Sequence, residues 1–164
     1  MSKAEESLKD AFAGESQANR KYLAFAAKAG QEGYAQVARL FRAAAEAETV
    51  HAHAHLRVLG GVKGTRENLA EAVNGESFEF QKMYPGMIED AKAEGNKSAL
   101  MTFDYANQVE KVHANLYQKI LDNLGKNEET DYSVCQVCGM TVEGDAPDKC
   151  PVCGAPKSSF KKMD

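Results

Sequence analysis

Four cysteines set the strongest constraint on this chain. Cys135-Gln136-Val137-Cys138-Gly139 is followed, after the eleven residues from Gly139 to Lys149, by Cys150-Pro151-Val152-Cys153-Gly154. Two residues between the cysteines of a pair let both thiolates point at one centre, and the glycine after each pair permits the positive φ of a tight turn. Two such knuckles complete a tetrahedral four-sulfur site that binds one metal ion. A site of this kind suits zinc or iron, and the knuckles alone leave that choice open.

The rest of the C-terminal region agrees. Residues 131–164 are rich in Gly, Pro and Asp and poor in apolar side chains. A segment so short cannot build a sufficient core, and a metal supplies the missing staple. The first residues, Met1 to Glu6, lack the apolar core of an export signal, and no apolar run is long enough to span a bilayer. The expected compartment is the cytoplasm, where thiols stay reduced, so a metal site is expected here and not two disulfides. A net charge of −4 with scattered lysines argues against a nucleic-acid partner.

Ahead of the cysteines the pattern is helical. Ser2 and Glu5 form a capping-box signature before a helix from about Lys3 to Ala29, stopped at Gly30. A second helix is expected from about Tyr34 to Leu59. A third follows an N-cap at Thr65 and ends before Gly95, with Asn74-Gly75 a candidate break and Pro85 a candidate kink. A fourth runs from about Lys97 to Leu124. The expected fold is an all-α four-helix bundle over residues 1–125, a polar linker at 126–130, and a small metal-stapled domain at 131–164. Phe12, Phe25, Leu40, Phe41 and Leu116 are the expected core.

A second constellation lies in these helices. Glu48-Thr49-Val50-His51 and Glu110-Lys111-Val112-His113 both read Glu-x-x-His, and residues three apart share a helix face. Glu15 precedes the first by 33 residues (15 to 48), and Glu79 precedes the second by 31 (79 to 110). The chain repeats one unit, a helix with a mid-helix Glu followed by a helix with Glu-x-x-His. Paired hairpins would bring Glu15, Glu48, His51, Glu79, Glu110 and His113 to one level, the donor set of a dinuclear carboxylate centre suited to iron or manganese. In His51-Ala52-His53-Ala54-His55 the histidines fan around the helix, so His51 is assigned to the site through Glu48, and His53 and His55 to the surface or to a supporting role. Tyr22, Tyr84 and Tyr105 read equally as pocket or core residues.

Together these features resemble the rubrerythrin family over essentially the whole chain. The resemblance rests on Ala11-Phe12-Ala13-Gly14-Glu15-Ser16-Gln17-Ala18, Ala45-Glu46-Ala47-Glu48-Thr49-Val50-His51-Ala52, Met83-Tyr84-Pro85 and the final Cys-Pro-x-Cys-Gly-Ala-Pro, with Tyr132 and Phe160 flanking the cysteines. It implies a ferritin-like bundle with a rubredoxin-like tail, and a peroxidase that reduces hydrogen peroxide to water at a di-iron site. The six Glu and His residues would be its iron ligands. Cys135, Cys138, Cys150 and Cys153 would hold a single iron that relays electrons from a partner reductase or a rubredoxin. It also implies a homodimer, because in the family the four-cysteine iron lies near the di-iron site of a second subunit. A link of only Gly60–Thr65 before the third helix would require a domain swap. The family usually has a further glutamate three residues after the one matching Glu79. Here that position is Lys82, and Glu76 on the same face is the stand-in. The competing reading is a ferroxidase or iron-handling protein with a structural zinc tail.

Overall fold

The computed structural model describes residues 2–163. Its helices are α1 (Lys3–Gln31), α2 (Ala35–Val58), α3 (Thr65–Phe78), α4 (Tyr84–Ala93) and α5 (Lys97–Asp122), with a π-helical turn, Glu79–Met83, joining α3 to α4. Three short strands follow: β1 (Tyr132–Cys135), β2 (Thr141–Glu143) and β3 (Phe160–Met163). This is the ferritin-like plus rubredoxin-like combination expected from the sequence, mostly helical with a small strand region that carries the cysteines. The chain forms two compact units, the first ending at Lys63 and the second beginning at Gly64. Among the described residues, no helix is long and apolar enough to cross a membrane.

The first unit is the α1–α2 hairpin. The capping box is present: the Glu5 N–H donates to Ser2 Oγ at 3.3 Å and the Ser2 N–H to Glu5 Oε2 at 2.7 Å. The helix runs through Gly30, because two following residues close the end: the Gly33 and Tyr34 N–H groups donate back to Gly30 and Ala29. Ala38, Ala45 and Ala52 are buried on α2 at intervals of seven residues, and Ala26 and Ala29 are buried on α1. Methyl-sized side chains on one stripe let two helices approach closely. Of the expected core, Phe25 and Leu40 are 47% and 67% exposed instead. A two-helix hairpin covers its seam from one side only, so Phe25 packs edge-on against Phe41 across the hairpin yet keeps much of its surface open, as does Leu40.

The second unit holds α3 to α5 and the strands. Gly64, not Thr65, is the N-cap of α3, and its N–H donates to Glu67 Oε2 at 3.2 Å. Asn74 and Gly75 stay helical, so the expected break does not occur. Pro85 leaves its irregularity upstream. With no N–H to donate, proline cannot close an ordinary helical turn, and the chain widens over Glu79–Met83, with the Tyr84 N–H reaching back to Glu79 O. The strands form an antiparallel sheet in the order β2-β1-β3, with Ser133 opposite both Val142 and Lys162.

Candidate metal centres

The four cysteines converge. Cys135 ends β1, and Cys138, Cys150 and Cys153 lie in the two turns. Cys135 Sγ is 3.7 Å from Cys153 Sγ, and Cys138 Sγ is 3.5 Å from Cys150 Sγ. Disulfide sulfurs stand about 2 Å apart. A tetrahedron of sulfurs about 2.3 Å from a central metal has edges of about 3.8 Å, so the spacing fits a metal and not a disulfide. The two knuckles are built alike. The Gly139 N–H donates to Cys135 O and the Gly154 N–H to Cys150 O, each at 2.9 Å, with φ of 85° and 74° at the glycines.

Backbone donors also aim at sulfur. Burial acts to raise the Cys150 thiol, but the Cys153 and Val152 N–H groups and the neighbouring sulfurs outweigh it and bring it to about 7. Burial raises Cys138, opposed by the Met140 N–H, and burial raises Cys153, opposed by the Ala155 N–H. N–H dipoles aimed at three of the four sulfurs, those of Cys138, Cys150 and Cys153, favour thiolate charge, as a metal thiolate site requires.

The Glu and His residues gather into two clusters, one in each unit. In the first, Glu15, Glu48 and His51 each bring one donor atom within 4.8 Å of the others. His51 Nδ1 is 2.8 Å from Glu48 Oε2. Asn19, one turn beyond Glu15, fixes the register of the hairpin here. Its Nδ2 donates to Ala45 O at 2.7 Å and to Thr49 Oγ1 at 2.8 Å, beside Glu48. In the sequence, its only signal is the one-turn spacing from Glu15.

In the second unit the cluster is Glu76, Glu110 and His113. His113 Nδ1 lies 2.7 Å from Glu110 Oε2 and 3.9 Å from Glu76 Oε1. Glu76, named only as a stand-in from the sequence, is thus drawn into the cluster, while Glu79 opens the π turn beside it. Both carboxyls are raised. For Glu76, burial, the Glu110 charge and a hydrogen bond with Glu110 lift it to about 7. For Glu79, burial and Glu110 raise it and His113 opposes. Lys82 is exposed. Tyr84 is raised by burial and then by the charges of Glu110, Glu79 and Glu76. Tyr22 instead joins Phe25 and Phe41 in an aromatic group, with ring centroids 6.3 and 6.0 Å away. His53 is exposed and His55 half-buried, and neither is in a cluster.

Carboxylates crowded against one imidazole nitrogen repel until a cation enters, and oxygen and imidazole donors suit iron. Each donor set therefore fits a carboxylate-histidine metal site. The His51 side chain is 56% exposed and that of His113 is 26% exposed, so the first cluster is the more open.

The Rubrerythrin family model matches residues 6–121, and the model for the rubrerythrin rubredoxin-like domain matches residues 134–161. Rubrerythrin-2 of Clostridium acetobutylicum is 36% identical, covering 94% of this chain and 93% of its own. Nigerythrin of Nitratidesulfovibrio vulgaris is 36% identical over 94% of this chain and 84% of its own. A solved structure of nigerythrin in a partially reduced state aligns with a TM-score of 0.60 at 34% identity, covering 99% of this chain and 88% of that one.

Proposed function

The chain belongs to the rubrerythrin family, and from that premise we propose that it is a peroxidase that reduces hydrogen peroxide to water. As an oxidoreductase of this family it carries a rubrerythrin-type di-iron centre and one iron in a rubredoxin-like four-cysteine site. The observation that supports the peroxidase reading is the presence of both donor sets on one short chain, one of sulfur and one of carboxylate and imidazole. A sulfur site suits single-electron transfer, and the carboxylate site suits binding and splitting of an O–O bond.

We assign Glu15, Glu48, His51, Glu76, Glu79, Glu110 and His113 to the di-iron centre, and Cys135, Cys138, Cys150 and Cys153 to the single iron. Residues 1–125 then carry the chemistry and 131–164 the electron entry, joined by 126–130. Bound iron supplies electrons and Lewis acidity to the peroxide. The reaction takes two electrons and two protons for each peroxide and yields two waters. Tyr84 directly follows the turn opened by Glu79 and is raised by burial and by Glu110, Glu79 and Glu76; we assign it as the proton donor to a leaving oxygen. The electrons come from a partner reductase using NADH, or from a rubredoxin, through the cysteine-bearing tail. Free, unbridged thiols accord with a cytoplasmic setting.

The assembly we propose is a homodimer with exchanged hairpins. A ferritin-like bundle needs one long crossover, because its second and third helices run the same way. Here six residues, 59–64, join α2 to α3. The Leu59, Gly60 and Gly61 N–H groups are already spent on capping α2. Even fully extended the link spans only about 24 Å, whereas α2 is about 36 Å long. The α1–α2 half-site of one chain is therefore completed by the α3–α5 half-site of another.

The function is tested by reducing the protein anaerobically and adding hydrogen peroxide. Peroxide-dependent reoxidation with water as product is expected, and Cys135→Ser should abolish NADH-coupled turnover in a reconstituted system. Unchanged turnover in that variant removes the relay. Oxidation of added Fe²⁺ with retention of mineral iron, and no peroxide turnover, would support iron handling instead.

A further inference from the structure

The His113 ring is held at both nitrogens, and the second contact comes from the cysteine-bearing tail. Nε2 lies 2.9 Å from Thr141 Oγ1 on β2. Thr141 follows Gly139, the glycine of the first knuckle, by two residues, and its hydroxyl is 3.1 Å from Gly139 O. A threonine hydroxyl has one proton and two lone pairs. A carbonyl oxygen can only accept, so the proton goes to Gly139 O. The lone pairs are then left for His113, so Thr141 is placed to accept from Nε2–H, the hydrogen that Nε2 carries whenever Nδ1 serves as a metal ligand. Nδ1, on the other side of the ring, faces Glu110 at 2.7 Å and Glu76 at 3.9 Å.

The surroundings protect this bond. It lies in the wall of a cavity of about 460 Å³ lined by Leu69, Leu116, Tyr117, Ile120 and Tyr132. Apolar walls limit competition from water. A second tie keeps β2 along α5. Glu143, two residues on and therefore on the same face of the strand, receives Lys119 Nζ at 2.7 and 2.9 Å. The chain between α5 and β1 has no helix or strand from Leu124 to Asp131, so these side-chain ties set the register of tail against helix.

We propose that Thr141 is a positioning residue. It accepts from the His113 Nε2–H, holds the imidazole with Nδ1 turned to the carboxylates, and locks the cysteine knuckle onto the α3–α5 half-site. The proposal rests on the reading of His113 as a metal ligand. Outer groups that fix a ligand histidine change metal affinity by about 10–100-fold when removed.

Thr141→Val keeps shape and removes the acceptor, and Thr141→Ser keeps the acceptor. Titration with Co²⁺ should show at least about 10-fold weaker binding at the carboxylate-histidine site in Thr141→Val. Thr141→Ser should stay within about 3-fold of wild type, as it keeps the hydrogen bond. Binding at the four cysteines, an internal check on folding of the tail, should be equal in all three. A Thr141→Val protein with wild-type affinity at the carboxylate-histidine site overturns the proposal. So does a Thr141→Ser protein as impaired as the valine variant, which would make the role one of packing. None of these readouts depends on peroxide turnover, so the proposal and the peroxidase reading fail separately.

Discussion

Glu76 Oε1 and Glu110 Oε2 stand 3.9 and 2.7 Å from the same atom, His113 Nδ1, across α3 and α5. One imidazole nitrogen between two carboxylates is a stable arrangement only with a proton or a cation among them. The relationship moves the acidic pair of this helix one turn toward its N-terminus. The pair facing Glu110 is Glu76 and Glu79, and Lys82 is left on the surface.

Substitution at these positions separates the two frames. Glu76→Ala should weaken Fe²⁺ or Co²⁺ binding at the carboxylate-histidine site by at least about 10-fold, with the four-cysteine spectrum unchanged. Lys82→Ala should leave both sites at wild-type affinity. Equal losses in the two variants would return Lys82 to the site. The measurement is a metal titration followed by optical absorption at each centre.

The metal-free protein should also show this crowding in its pH dependence. The folded Glu76 carboxyl is raised from 4.5 to about 7, so between those values the folded chain binds more protons than the unfolded one. Stability therefore falls as pH rises through that window. Thermal melting of the metal-free protein should give a Tm that declines from about pH 4.5 toward pH 7, and Glu76→Gln should flatten the decline. Loaded metal should reverse it, because a cation stabilises the ionised carboxyls.

Much of this was legible in the sequence because the signals are local. Cys135 to Cys153 carry their own geometry in two-residue gaps and flanking glycines, and Glu48-His51 and Glu110-His113 declare themselves by helical spacing. What was not legible depends on breaks in regularity or on distant partners. Pro85 was read as a kink at its own position. Its effect falls on Glu79–Met83, where the widened turn alters which glutamate meets Glu110. Thr141 is an ordinary strand residue until β2 is laid along α5. Phe25 and Leu40 have the character of core residues, but the partner helix of their own hairpin leaves them exposed.

Asn19 offers a test of how the first half-site is held. Its amide gives both of its donor bonds to α2, at Ala45 O and Thr49 Oγ1, next to Glu48. Asn19→Ala should cost about 1–2 kcal/mol in denaturant unfolding at fixed protein concentration. It should also weaken metal binding, since Glu15 and Glu48 are no longer held in register. Loss of stability with unchanged metal affinity would confine Asn19 to the hairpin.

Exchange of hairpins makes a prediction that no unexchanged dimer shares. Suppose Glu48→Ala disables the half-site on α2, and Glu110→Ala disables the half-site on α5. Each homodimer alone has only broken sites. Unfolding and refolding the two together at equal concentration gives heterodimers as about half of all dimers. If each site joins α1–α2 of one chain to α3–α5 of the other, a heterodimer holds one site with both defects and one with none. About a quarter of the wild-type di-metal sites, counted per chain, should then return, read by Fe²⁺ binding and peroxide-dependent oxidation. If each site is built within one chain, every site keeps one defect and nothing returns. Lengthening the 59–64 link by about 15 flexible residues lets it span about 70 Å when extended, enough to cross a bundle. The lengthened chain should therefore lose complementation while keeping its metal sites. Recovery that is independent of link length would mean that the short connection does not drive the exchange.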